Sequence, residues 1–264
     1  MSPAMHLPAS RHPSREGRRL AHGLGTLAAI ALTAASAYGC GGSGASKLPV
    51  AEVGGNVITK AMFDHWIVIT AVRDYELYPR RSVPRGVVPD PPLYSACIAH
   101  LRATAGKLGA PPRSASATEL RQHCAQQYQI LRQQVLSSLI TAEWLISEGQ
   151  ALGMKASSTE IKHKSEQIRK SEFSSEAAFR KYLAYTGETL SDQLFRARVK
   201  AVSAKIEERL THEGSTSQSQ QRIFSTFSEQ FPKKWAARTS CRPGYVVANC
   251  RQYRGSSAPE ANLP

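Results

Sequence analysis

No tract of this 264-residue chain stays apolar over the roughly 20 residues that a membrane-crossing helix needs. No unit repeats at a period of about 20–50 residues, which excludes solenoids and propellers. The motifs of common chemistries are missing too: there is no phosphate-binding P-loop, His-Glu-x-x-His, nucleophile elbow or Cys-x-x-Cys. Acidic residues are scarce, 20 against 34 Lys and Arg, so the formal net charge is +14. Such a charge suits nucleic acid, anionic lipid headgroups or acidic wall polymers equally, and only the compartment chooses among them. Core-forming material is present in ordinary amount. With 41% hydrophobic and 20% charged residues, the composition is that of a folded protein able to bury one sizeable core or two small ones.

The compartment is written at the N-terminus. Arg11, Arg15, Arg18 and Arg19 precede Leu24–Ala37, an uncharged stretch with the length of a signal-peptide h-region. Arg18-Arg19 lacks the rest of a twin-arginine signal and reads as part of an ordinary charged n-region. Ala37-Tyr38-Gly39-Cys40 then resembles a bacterial lipobox, although Ala37 stands where such motifs usually carry Leu. Residues 1–39 are expected to be a signal peptide and 40–47 a flexible tether, with Cys40 lipidated; ordinary cleavage or a retained anchor is the alternative. From Cys40 onward the net charge is about +11. Outside the cytoplasm its natural counterparts are the membrane surface and wall polymers, with no specific nucleic acid.

Setting Cys40 aside leaves Cys97, Cys124, Cys241 and Cys250, an even set with three possible pairings. Proximity favours Cys97–Cys124 and Cys241–Cys250, which an oxidising compartment would preserve. A zinc site drawing on Cys97, His100, His123 and Cys124 is the competing reading. It is disfavoured because adjacent helical residues point about 100° apart.

Along the chain, residues 48–59 read as two short strands around a Gly-Gly-Asn turn. Thr59 caps a helix from Lys60 to about Glu76, with Phe63, Trp66, Ile67, Ile69, Thr70 and Val72 on its apolar stripe. The proline-rich stretch 79–92 is an extended loop, followed by a short helix at 94–104 and a second Gly/Pro/Ser stretch at 106–117. The longest helix is expected from about Thr118 to Leu152, on the three-and-four spacing of Leu120, Cys124, Tyr128, Leu131, Val135, Leu139, Ala142 and Ile146. Capping boxes at Ser157/Glu160, at Ser174 and at Thr189/Asp192 open three more helices. Gly214–Gln218 is a polar linker, and a last helix runs from Ser219 to about Arg238. Tyr245–Val247, inside the Cys241–Cys250 loop, is expected to pair with the Val50–Val53 strand. The fold class is therefore mainly α: a multi-helix module with one long helix and a small two- or three-stranded sheet joining the two ends. Its parts are a helical domain at 48–213, a C-terminal helix and disulfide loop at 219–254 packed back on it, and a disordered tail at 255–264.

Three segments in order resemble a known family. These are Val50–Asp64 (strand, turn, hydrophobic-Thr, helix), Leu139–Ile161 (with Leu-Gly followed by Ser-x-x-Glu) and Phe173–Gly187 with Thr189–Val199. They resemble the chaperone part of the SurA/PrsA-type extracytoplasmic foldases, over roughly residues 48–212. Full-length members carry a parvulin prolyl isomerase domain after the third helix pair. Only Gly214–Gln218 stands at that place here, so the resemblance implies the chaperone module without the isomerase.

Leader and resemblance together predict an extracytoplasmic, membrane-anchored holdase for unfolded or newly exported proteins, with no cofactor, metal or catalytic residue. A prolyl isomerase by family resemblance and an envelope adaptor with one dedicated partner are the alternatives. Phe224, Phe227, Phe231 and Trp235 form a candidate client-binding face, against the plainer reading that they pack on the long helix. Trp66 and Trp144 read as core. His65, His123, His163 and His212 are scattered over helix faces. Glu143, Glu148, Glu207 and Glu208 are expected on charged faces, where pairing with Lys or Arg explains them.

Overall fold

A computed structural model describes residues 47–75, 82–107 and 111–255, which belong to one compact unit. The expected signal peptide, the tether with Cys40 and the tail beyond residue 255 lie outside the described residues.

The chain is mainly helical with one small antiparallel sheet. Strands β1 (Pro49–Val53) and β2 (Asn56–Thr59) form a hairpin through Gly54 and Gly55, both at positive φ, as a two-residue hairpin turn requires. Gly54 has a second constraint, since a Cβ there would come 3.1 Å from the Trp235 ring. The chain passes directly into α1 (Lys60–Tyr75), where the Thr59 hydroxyl accepts from the Met62 N–H at 3.2 Å. A short α2 (Ser95–Thr104) starts where the Asp90 carboxylate accepts from the N–H groups of Ala96 and Cys97.

The long helix, α3, spans Ala117–Ala151 and opens on a capping box of Ser116 and Glu119. Three more helices come next: α4 (Ser158–Glu172), α5 (Glu176–Thr186) and α6 (Leu190–Glu213). The boxes at Ser157/Glu160 and Thr189/Asp192 form as expected. At α5 the cap is Ser175 rather than Ser174, and no reciprocal carboxylate completes a box. The linker before α7 (Ser217–Ala236) is shorter than expected, because Thr216 caps that helix through Ser219.

The sheet corrects one expectation. Its order is β2-β1-β3, and β3 is Thr239–Cys241, not Tyr245–Val247. Val53 faces Thr239 and Ala51 faces Cys241. Pairing is used up before the disulfide loop, where the chain turns back at Gly244 (φ +84°) with a Tyr245 N–H bond to the Arg242 carbonyl at 2.9 Å. Tyr245 instead packs edge-on against Phe63, with the Arg132 guanidinium 5.1 Å from its ring centre. The end of the chain still meets its beginning, as the sequence implied, but through a different segment.

One core joins α1, α3, α6, α7 and the inner face of the sheet, with Phe63, Leu136, Ile140, Trp144, Val202 and Trp235 among its members. A smaller satellite of Tyr94, Cys97, Leu101, Leu120 and Cys124 holds α2 to α3. Disulfides join Cys97 to Cys124 and Cys241 to Cys250, with Cα atoms 6.2 and 5.7 Å apart. Both sulfurs of the alternative zinc set are thereby occupied.

Candidate functional site

The aromatic stripe of α7 divides into two parts. Phe231 and Trp235 are 2% and 4% exposed, so both are packed as core, as the plainer reading of this stripe expects. Phe231 meets Trp144 edge-on, and the Trp235 indole N–H donates to the Glu148 carboxylate at 2.6 Å. Phe227 stacks on Phe231 with ring centres 5.0 Å apart, and Phe224 is half-buried. The reason is Glu148. This acid is buried, not on a charged outer face, and it binds both Trp235 and Lys234 (2.6 Å), which draws the end of α7 down onto α3. A buried acid is stable only when paired in this way. Trp144 is also fully buried, with its N–H donating to Thr239 Oγ1 at 2.7 Å.

Beside the stripe, Ile223, Phe227, Phe231 and Leu210 line a crevice of about 550 Å³ between α6 and α7, and a further open space lies between α1, α3, α4 and α6. It is a cleft of about 460 Å³, lined on its apolar side by Trp66, Val135, Leu139, Ile168, Phe195 and Val199. Its size falls in the usual range for binding sites. The polar border consists of Arg73, Asp74, Gln134, Glu172, Arg196 and Lys200.

Each wall has a distinct anchorage. α1 and α6 are joined by His65 and Asp192 (2.8 Å) and by the Trp66 and Phe195 rings, 6.1 Å apart. The Asp192 carboxyl is held below its usual range: burial pushes it up, but bonds from His65 and Thr189 outweigh that. The Arg196 guanidinium lies 5.1 Å from the Trp66 ring centre and binds Glu188 at 2.8 Å. Glu188 is fully buried and also accepts from Tyr182 (2.8 Å) and Gln193, so Arg196 is fixed and neutralised. Burial first, then the charge of Glu188, pushes the Tyr182 hydroxyl above its ordinary pKa. Across from this rigid wall, α4 buries no residue at all. Polar contacts such as the Lys205–Glu160 ion pair (2.6 Å) and the half-buried Ile161 and Ile168 hold it to the rest.

Next to this cleft, a crevice of about 540 Å³ lies between α1, α2 and α3, lined by Tyr75, Val87, His100, Leu101, Ile130 and Leu131. Asp74 and Gln134 border both spaces, which adjoin at the end of α1. Between Gln127 and Ala142, α3 floors the two spaces in turn over about 22 Å, the span of six or seven residues of extended chain at roughly 3.4 Å each. Ile130 and Tyr75 stay exposed along it, at 56% and 45%.

Among the cleft residues the sequence singled out Trp66, Thr70, Val135, Leu139 and Ala142, but as positions on apolar helix faces and not as a site. Arg73 carried no motif signal beyond its position, seven residues after Trp66 and four after the buried Ile69, which places it on the inward face of α1. Glu143 is half-buried rather than paired on an open face, and burial, only partly offset by Arg198, raises its carboxyl above the ordinary range. His65 binds Asp192, and His212 lies 3.9 Å from Glu208. Among the described residues no group of His, Cys, Asp and Glu could hold a metal ion, and no helix is long and apolar enough to cross a membrane. Comparison with protein-family models, with curated proteins and with solved structures finds no match.

Proposed function

We propose that this protein is an extracytoplasmic holdase, anchored to the membrane near its N-terminus, that shelters unfolded segments of exported proteins. The observation that carries this reading is the surface formed by the two adjoining clefts along α3. It has an apolar floor, charged borders, open sides and a length that suits an extended chain. The α4 wall buries no side chain fully and meets α6 largely through polar contacts, a surface suited to clients with side chains of different size. The leader of Leu24–Ala37 and the likeness of residues 48–212 to the chaperone part of SurA/PrsA-type foldases support the same reading. Clients are held through this cleft.

The test is suppression of aggregation. Purified residues 41–264 should keep a chemically unfolded client in solution when added at stoichiometric amounts. A protein with no effect at that ratio would sink the proposal. Replacing Val199 and Ile168 by Asp should remove the protection, whereas Phe224→Ser should leave it unchanged.

A further inference from the structure

We infer that the cleft prefers segments bearing a carboxylate beside an aromatic or large aliphatic residue, with Arg73 as the partner of that carboxylate. This rests on the chaperone reading and names the chemistry of the clients it takes.

The case begins with an unmet donor. Arg73 lines the cleft, and its Nε–H is buried without a hydrogen-bond partner. Among the described residues Arg73 forms no ion pair, although four charged neighbours share its cleft. Arg196 is already neutralised by Glu188. Asp74 and Glu172 are exposed, and neither pairs with Arg73. Lys200 is exposed as well and adds a second cation to the border. The buried Nε–H of Arg73 has lost hydration without gaining a partner, so a carboxylate that reaches it is favoured there more than in water.

Geometry narrows the anion. The Nε and one Nη of arginine form a planar edge that matches the two oxygens of a carboxylate. Arg73 as a whole is only half-buried, and rotation about its outer torsions turns that edge to the opening. Trp66 and Phe195 lie in the same space, with Leu139 and Val199 beneath, and take the neighbouring apolar side chain. A basic segment meets only the exposed, water-screened Asp74 and Glu172 at the rim, while its charge also faces Arg73 and Lys200.

The experiment uses the protein as cells produce it and three labelled peptides of equal length. Each peptide has one Phe flanked by Glu, Gln or Lys, and binding is read by fluorescence anisotropy. The Glu peptide should bind about tenfold more tightly than the Gln peptide, the worth of one charge-assisted pair. The Lys peptide should bind weakest. Arg73→Gln should erase the Glu-over-Gln preference while keeping the affinity for the Gln peptide, and Lys200→Gln should preserve the preference. Equal binding of all three peptides overturns this inference and leaves the chaperone reading standing. Binding of none overturns both. A preference that persists in Arg73→Gln places the anion elsewhere and overturns it too. If the protein dimerises at assay concentration and Arg73→Gln abolishes the dimer, a second copy is the occupant and the inference falls.

Discussion

Glu143 has an environment that works against its charge. It sits half-buried on α3, and burial raises its carboxyl above the ordinary 4.5 while Arg198 compensates in part. A carboxyl raised on folding contributes stability below its unfolded pKa and loses it as pH rises through the folded value. Glu143→Gln should therefore match the wild type in acid and become the more stable of the two toward neutrality. Thermal unfolding across that range checks it, and a variant less stable at neutral pH contradicts it. Glu148, five residues on, shows the opposite solution, since its buried carboxylate meets Trp235 and Lys234 directly.

Between elements, three junctions decide how the helices sit. α3 and α6 approach closely at Gly149, where a Cβ would overlap Val202 Cγ1. Ala gains about 1 kcal/mol over Gly in helix propensity, but overpacking costs roughly 1–3 kcal/mol. Gly149→Ala should thus lower stability in denaturant titration, and adding Val202→Ala should recover much of the loss. α4 meets α6 through Glu160, whose carboxyl is held at about 2 by Lys205 and then by the Ser157 cap. A depressed carboxylate contributes stability above its unfolded pKa and loses it as pH falls through the folded value. The difference between wild type and Glu160→Gln in thermal midpoint should be full near neutrality, shrink below the ordinary 4.5 and vanish near 2. The third junction is α2 on α3, which shares only a small satellite cluster and the Cys97–Cys124 bridge. Such a bridge contributes roughly 3 kcal/mol by restricting the unfolded chain. Replacing both cysteines by Ser should speed hydrogen exchange in α2 and leave Leu136–Ile146 protected. Equal loss of protection in both regions would show that α2 is not a separate unit.

At the scale of the whole molecule, the sheet and α7 close the structure on itself. β3 lies against β1, Trp235 sits against Gly54, and the Cys241–Cys250 loop covers Phe63 through Tyr245. Outside that closure, α4 and α6 form the cleft wall opposite α1 and α3. Mass spectrometry of the mature protein should report lipid on Cys40 and the loss of the thiol hydrogens of Cys97, Cys124, Cys241 and Cys250. An unmodified N-terminal cysteine would remove the lipid anchor from the proposal. Retained thiols would contradict the bridges.

The helices, their order and most of their caps arise from the sequence alone, because apolar spacing and Ser/Thr-x-x-acid boxes act within a few residues of one another. The small sheet joining both ends was legible as well, though not its third strand. Tyr245–Val247 has the composition of a strand, and only the closure of the disulfide loop decided that Thr239–Cys241 takes that place. The same holds for the aromatic stripe of α7. Periodicity places Phe224, Phe227, Phe231 and Trp235 on one side, but not what lies opposite, and the buried Glu148 on α3 turned Phe231 and Trp235 into core. The cleft was not legible at all. It is made by residues from four helices more than a hundred positions apart, and burial, unlike capping, is decided by what the rest of the chain brings near.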